Sequence, residues 1–267
     1  MIGRHPVVAV LVFLSLAAVC AEAFWSGELV RRVTYMVAMG CGIVITDVYT
    51  RRNTDLPADV IPVRRPGLEL SFAAFCYLAA AALLENHFVW HFGVPGVGVA
   101  LNFSLLFFVS SVPILLFDVA VLKYRFGDLG FRVQGLGLAV PILLCFAALA
   151  TPTHTWTQVS QLLETDFGGS VASFISAGLF AAFSEEFLRF TWQTRLAEAL
   201  GNSAAAWFIA AVMWSLLHYP MYGSLYGCLG ILPEGLLWGY VMFRTRSLLP
   251  TMILHGLNFL WAFKAIR

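Results

Sequence analysis

The sequence predicts an all-α fold, a polytopic bundle of eight or nine membrane-spanning helices. Three observations carry that prediction. The chain has 267 residues, of which 60% are apolar and 12% charged, far from the roughly 25% charged of soluble domains. The apolar residues fall in runs of about 20, the length that crosses a bilayer core as a helix. The arginines and lysines collect between alternate runs, as expected of cytoplasmic loops.

The runs lie near residues 6–25, 34–50, 70–91, 97–122, 134–151, 170–190, 203–219, 225–243 and 247–265. The first has the basic start, apolar core and "AEA" end of a signal peptide, but further spans follow at once, so it reads as a retained first helix. The run at 34–50 is the weakest: it is short and carries Asp47, which suits a tilted or re-entrant segment or an extension of its neighbour. The third ends in "ENHFVWH", where Glu85, His87 and His91 imitate a ligand set. The aromatic residues around them and the following "FGVPGVG" mark an interfacial belt instead.

Basic residues cluster at Arg51, Arg52, Arg64 and Arg65, at Lys123, Arg125 and Arg132, at Arg189 and Arg195, and at Arg244 and Arg246. The loops near 92–96, 152–169 and 220–224 carry none. With nine spans this puts the N-terminus inside, and only Arg31 and Arg32 fall on the wrong side, a second mark against 34–50. A break at Gly201-Asn202, with Asn202 or Ser203 as N-cap, makes the segments on either side antiparallel neighbours. No Pro/Ser linker, low-complexity tract or internal repeat divides the chain, so residues 1–267 read as a single membrane domain.

The formal net charge is +1 and no basic arm is present, which excludes a nucleic-acid partner and leaves the lipid bilayer as the environment. The five cysteines, Cys20, Cys41, Cys76, Cys145 and Cys228, lie singly in apolar runs, as small buried hydrophobes do, with neither a CxxC pair nor a disulfide framework.

Ionisable groups at membrane depth cost at least about 2.5–3.5 kcal/mol each, so each points to a function and a partner. Four stretches hold them: "SEEFLR" with Glu185, Glu186 and Arg189, "MWSLLHYP" with His218, "ILPEGLLWGY" with Glu234, and "MILHGLNF" with His255 and Asn258. Glu185 and Arg189 are four apart and share a helix face, which predicts an ion pair. Glu186 points about 100° away and needs a different partner. Counted from the Gly201 break at 1.5 Å per residue, Glu185 and His218 both lie about 24–26 Å along their helices. The hairpin therefore brings a glutamate and a histidine to one level.

A glutamate beside a histidine can act as general base on water, while a histidine and an asparagine amide can donate hydrogen bonds to an oxyanion. Those are parts of a hydrolase acting on amide bonds. No GxSxG elbow is present, so water is the expected nucleophile. Glu185, His218 and His255 could also hold zinc with an open fourth position, although HExxH is absent.

In this order and spacing, "SEEFLR", "WSLLH" and "HGLN" resemble the CAAX protease and bacteriocin-processing family (CPBP), the intramembrane proteases related to the type II CAAX prenyl endopeptidase. "GYVMFRTRSLLPTMILHGLN" looks like that family's final hairpin. The resemblance covers residues 169–261, the expected catalytic core. It implies Glu185 and His218 as the water-activating pair, His255 with Asn258 as oxyanion stabilisers, and Glu186 and Arg189 as supports. The family usually spaces its first motif EExxxR, where this chain reads EExxR. It has Phe where Trp214 stands, and it places its Asn or Asp four residues after the histidine, where this chain has Phe259.

The expectation is thus an endopeptidase of the bacterial inner membrane, metallo or glutamate-dependent, whose peptide or protein substrate reaches the site through the bundle and can itself be membrane-anchored. Two other classes fit the same charges. A proton-coupled transporter would use the Glu, Arg and His as a relay but should show inverted repeats. A non-catalytic immunity or scaffold protein would keep the fold without turnover.

Overall fold

A computed structural model describes residues 5–25, 29–53, 61–87, 97–150, 182–219 and 223–265. Among them are nine α-helices and no strand: α1 Pro6–Trp25, α2 Leu29–Arg52, α3 Pro66–His87, α4 Val97–Leu116, α5 Ala139–Ala150, α6 Phe183–Leu200, α7 Ser203–Leu217, α8 Leu225–Thr245 and α9 Leu249–Ala265. Three helical stretches, Pro6–Trp25, Arg32–Arg52 and Leu225–Thr245, are long and apolar enough to cross a membrane by length and composition. The run that looked weakest is therefore one of the three. Shorter apolar stretches lie at Pro66–Ala82, Leu106–Val121, Leu136–Phe146 and Ser203–Leu217. The side chains of Glu85, His87 and His91 lie outside the described residues.

Large apolar side chains face both ways. Phe13, Trp25, Phe75, Leu78 and Leu144 point outward, an exterior that water would penalise and lipid tails accept. The interior holds Trp207, Trp214, Trp238, Phe107, Phe187 and Phe190, all without appreciable exposure. α8 is central, packing chiefly on α7 and α2, and α6 lies between α7 and the α3–α4 pair. α1 is part of this packing, with Val8 buried in one cluster with Trp207, Leu232 and Tyr240.

The turn that sets the site's level forms as the sequence predicts. Gly201 closes α6 with φ +58°, a left-handed conformation that glycine adopts at no steric cost. Asn202 then caps α7, its side-chain oxygen accepting from the Ala204 and Ala205 amides at 3.1 and 3.0 Å. α6 and α7 leave this turn as neighbours.

The basic residues do not all lie in loops. Arg189 and Arg195 belong to α6 and are fully buried, because each finds carboxylates inside the bundle. Arg195 donates to Glu69 Oε2 at 2.7 Å and Asp118 Oδ2 at 3.0 Å. Tyr124, in the segment after α4, donates to the other Glu69 oxygen at 2.9 Å. Burial pushes the Tyr124 phenol up to about 12, which keeps that proton in place. Arg32 is drawn inward as well, donating to the Gly230 carbonyl.

Candidate active site

α6 delivers Glu185 and Glu186 in its first turn, α7 delivers Trp214 and ends at His218, and α9 delivers His255. His218 is the C-cap of α7, and its Nδ1 lies 2.8 Å from the Trp214 carbonyl oxygen. A carbonyl only accepts, so Nδ1 carries the proton. This satisfies one of the carbonyls a helix end leaves open and turns Nε2 toward α6.

Glu185 Oε2 is the meeting point. It accepts a hydrogen bond from the Trp214 indole N–H at 2.9 Å and lies 3.4 Å from His218 Nε2 and 3.8 Å from His255 Nε2. The glutamate and the histidine that share a level are thus in contact. Glu185 Oε1 is buried, with no hydrogen-bond partner among the described residues.

Glu186 does different work. One arginine nitrogen, Nη1 of Arg189, lies 3.0 Å from each of its two oxygens, and His255 Nδ1 lies 2.6 Å from Oε1. A carboxylate only accepts, so His255 donates from Nδ1 and its Nε2 faces Glu185. The expected Glu185–Arg189 pair is therefore not formed. The three-residue spacing of Glu186 and Arg189 brings them together as readily as a spacing of four, and the Trp214 indole N–H occupies Glu185 instead. Arg189 stacks over the Trp214 ring, its Cζ 4.0 Å from the ring centroid.

Every described member of the set is buried: Glu185, Glu186 and Arg189 show no exposure, His218 and His255 almost none. Asn258 sits on α9 one turn beyond His255, and its side chain lies outside the described residues. The Glu234 carboxylate on α8 accepts from Tyr35 on α2. In the sequence Trp214 appears only as a departure from the family motif with no role of its own, yet it stands four residues before His218 on one helix, a spacing that puts the two on one face.

Among the described residues no group of three His, Cys, Asp or Glu side chains is arranged to hold a metal ion. The two imidazoles of this donor set converge on one carboxylate oxygen that already accepts the Trp214 N–H. What it can do is hold protons. A carboxylate oxygen faces two imidazole lone pairs, an arrangement that a proton or a water hydrogen between them stabilises.

Residues 167–261 match the family model for the type II CAAX prenyl endopeptidase Rce1-like group, a stretch that contains α6 to α8, most of α9 and all three motifs. Over these residues the chain is similar to the CAAX protease family, and with its apolar helices the protein is an integral membrane protein. No curated protein and no solved structure gives a significant match to the chain.

Proposed function

We propose that the protein is an intramembrane endopeptidase in which Glu185 and His218 activate water for hydrolysis of a peptide bond. The observation that carries this reading is the buried contact of Glu185 Oε2 with His218 Nε2 at 3.4 Å, inside the stretch that matches a protease family's model. The chain is one membrane domain of eight or nine spans in the bacterial inner membrane. Its substrate is a peptide or protein, membrane-anchored or embedded, that enters between helices.

Water donates one hydrogen to Glu185 and the other to His218 Nε2, the acceptor nitrogen of an imidazole whose Nδ1–H is committed to the Trp214 carbonyl. The water oxygen attacks the scissile carbonyl as its proton passes to Glu185. The tetrahedral intermediate collapses, the C–N bond breaks, and that proton goes to the leaving amine. His255 stabilises the oxyanion with Asn258. To donate from Nε2 it must be an imidazolium, since Nδ1–H already binds Glu186, and the Glu186 carboxylate supplies the counter-charge. Two carboxylates against one guanidinium leave one negative charge for that imidazolium to balance.

The geometry supports different roles for the two glutamates. Glu186 is consumed by Arg189 and His255, whereas Glu185 keeps an oxygen without a protein partner among the described residues. Glu185 is the base and Glu186 the support. The test is purified protein in detergent with a cleavable peptide: if Glu185→Gln and His218→Ala both cleave at the wild-type rate, the mechanism is wrong.

A further inference from the structure

Trp214 stands where the related motif has phenylalanine, and its surroundings give the difference a role. Its indole N–H donates to Glu185 Oε2 at 2.9 Å, its carbonyl accepts from His218 Nδ1 at 2.8 Å, and its ring lies 4.0 Å from Arg189 Cζ. The ring also meets His218 and His255 edge-on, with centroids 4.4 and 5.9 Å away. One side chain therefore touches Glu185, Arg189 and both histidines. α8 closes over it at Gly235, where a Cβ would lie only 3.0 Å from Trp214 Cε3, so the ring has no room to turn.

We propose that Trp214 is a positioning residue for Glu185: its N–H pins Oε2, fixes the rotation of the carboxylate, and leaves Oε1 as the oxygen that takes the proton from water. Phenylalanine would keep the stack on Arg189 and the edge contacts with the imidazoles but would release Oε2. A carboxylate turns about its last bond through a broad, soft minimum. With both oxygens then drawn toward the imidazoles, the proton acceptor loses its fixed geometry. Misplacement of a catalytic group by about 1 Å costs up to about 10²-fold in rate.

This rests on the endopeptidase reading, and the test separates the two. In detergent, the ultraviolet resonance Raman difference between wild type and Trp214→Phe isolates the Trp214 indole band. Glu185→Leu is expected to move that band to the position of a free N–H, a readout that needs no proteolysis. With an internally quenched peptide that wild type cleaves, Trp214→Phe is expected to lower kcat by about 10²-fold with KM within about two-fold. Replacing Trp214 by β-(3-benzothienyl)alanine, which keeps the bicyclic ring and lacks the N–H, should give the same loss.

Trp207→Phe is the control. That tryptophan is equally buried and donates to the Leu236 carbonyl at 2.9 Å, away from the glutamates, so kcat should stay at the wild-type value. An indole band unmoved by Glu185→Leu, or a benzothienyl variant with wild-type kcat, overturns the proposal. If wild type cleaves no peptide, the enzyme reading falls while the Raman arm still decides whether Trp214 holds Glu185.

Discussion

Arg189 and Arg195 lie on the same helix, both without exposure, and they end in different surroundings. Arg195 has all three nitrogens engaged: Nε on Glu69, Nη2 on Asp118 and Nη1 on the Thr194 hydroxyl at 2.9 Å. The group joins α6 to α3 and to the segment that follows α4, and Tyr124 closes it. Arg189 has one nitrogen on Glu186, while Nε and Nη2 have no hydrogen-bond partner among the described residues, as is true of Glu185 Oε1 beside it. Buried polar atoms are nearly always satisfied because leaving one unpaired costs about 1–3 kcal/mol. The satisfied cluster does what packing needs, holding three elements in one relation. The unsatisfied one keeps a cost that packing alone would remove, and that separates a site from a brace.

Glu185→Gln should break the comparison most sharply. Peptide cleavage is expected to fall by about 10²–10⁴-fold, while thermal unfolding in detergent stays at or above wild type, because a fully buried charge has been removed. Arg195→Leu should do the reverse. It strands Glu69 and Asp118 without their cation, which costs roughly 3–5 kcal/mol and should appear as a lower unfolding temperature. The triple variant Glu69→Leu, Asp118→Leu and Arg195→Leu sharpens the point, because apolar replacement of a whole buried ion group is near neutral. It should recover most of the stability lost by Arg195→Leu, and a triple variant as unstable as the single one would show that the group acts by more than neutralisation.

Part of this was legible in the sequence. The helical class, the Gly201-Asn202 turn and the common level of Glu185 and His218 follow from apolar run length, cap chemistry and helical rise, which are local. The partner of Arg189 did not follow, since spacings of three and four both place carboxylates on its face, and a tryptophan from the next helix decided between them. Arg195 was read as a loop charge because its partners, Glu69 and Asp118, are distant in sequence. Composition showed Asp47 as a flaw in a weak span, whereas the fold gives it Tyr240 and Arg244 from α8.

That third cluster supplies the smallest expected effect. Asp47 accepts from the Tyr240 hydroxyl at 2.9 Å and lies 3.3 Å from Arg244, with Arg51 alongside. Unlike the two groups on α6 it lies near the basic end of α2, where Arg51 and Arg52 mark the aqueous boundary, and it is partly exposed: the side chains of Asp47, Arg244 and Arg51 are 23%, 26% and 75% exposed. Water screens such pairs, and exposed ones are worth about 0.2–1 kcal/mol. Asp47→Asn should therefore lower stability by less than about 1 kcal/mol and leave cleavage unchanged. The difference from wild type should shrink as salt rises, because ions screen exposed charges and reach buried ones far less. Thermal unfolding of Asp47→Asn and Arg195→Leu across a salt series places the two on one scale. If the Asp47 effect is as large as that of Arg195 and indifferent to salt, exposure is not what grades these clusters.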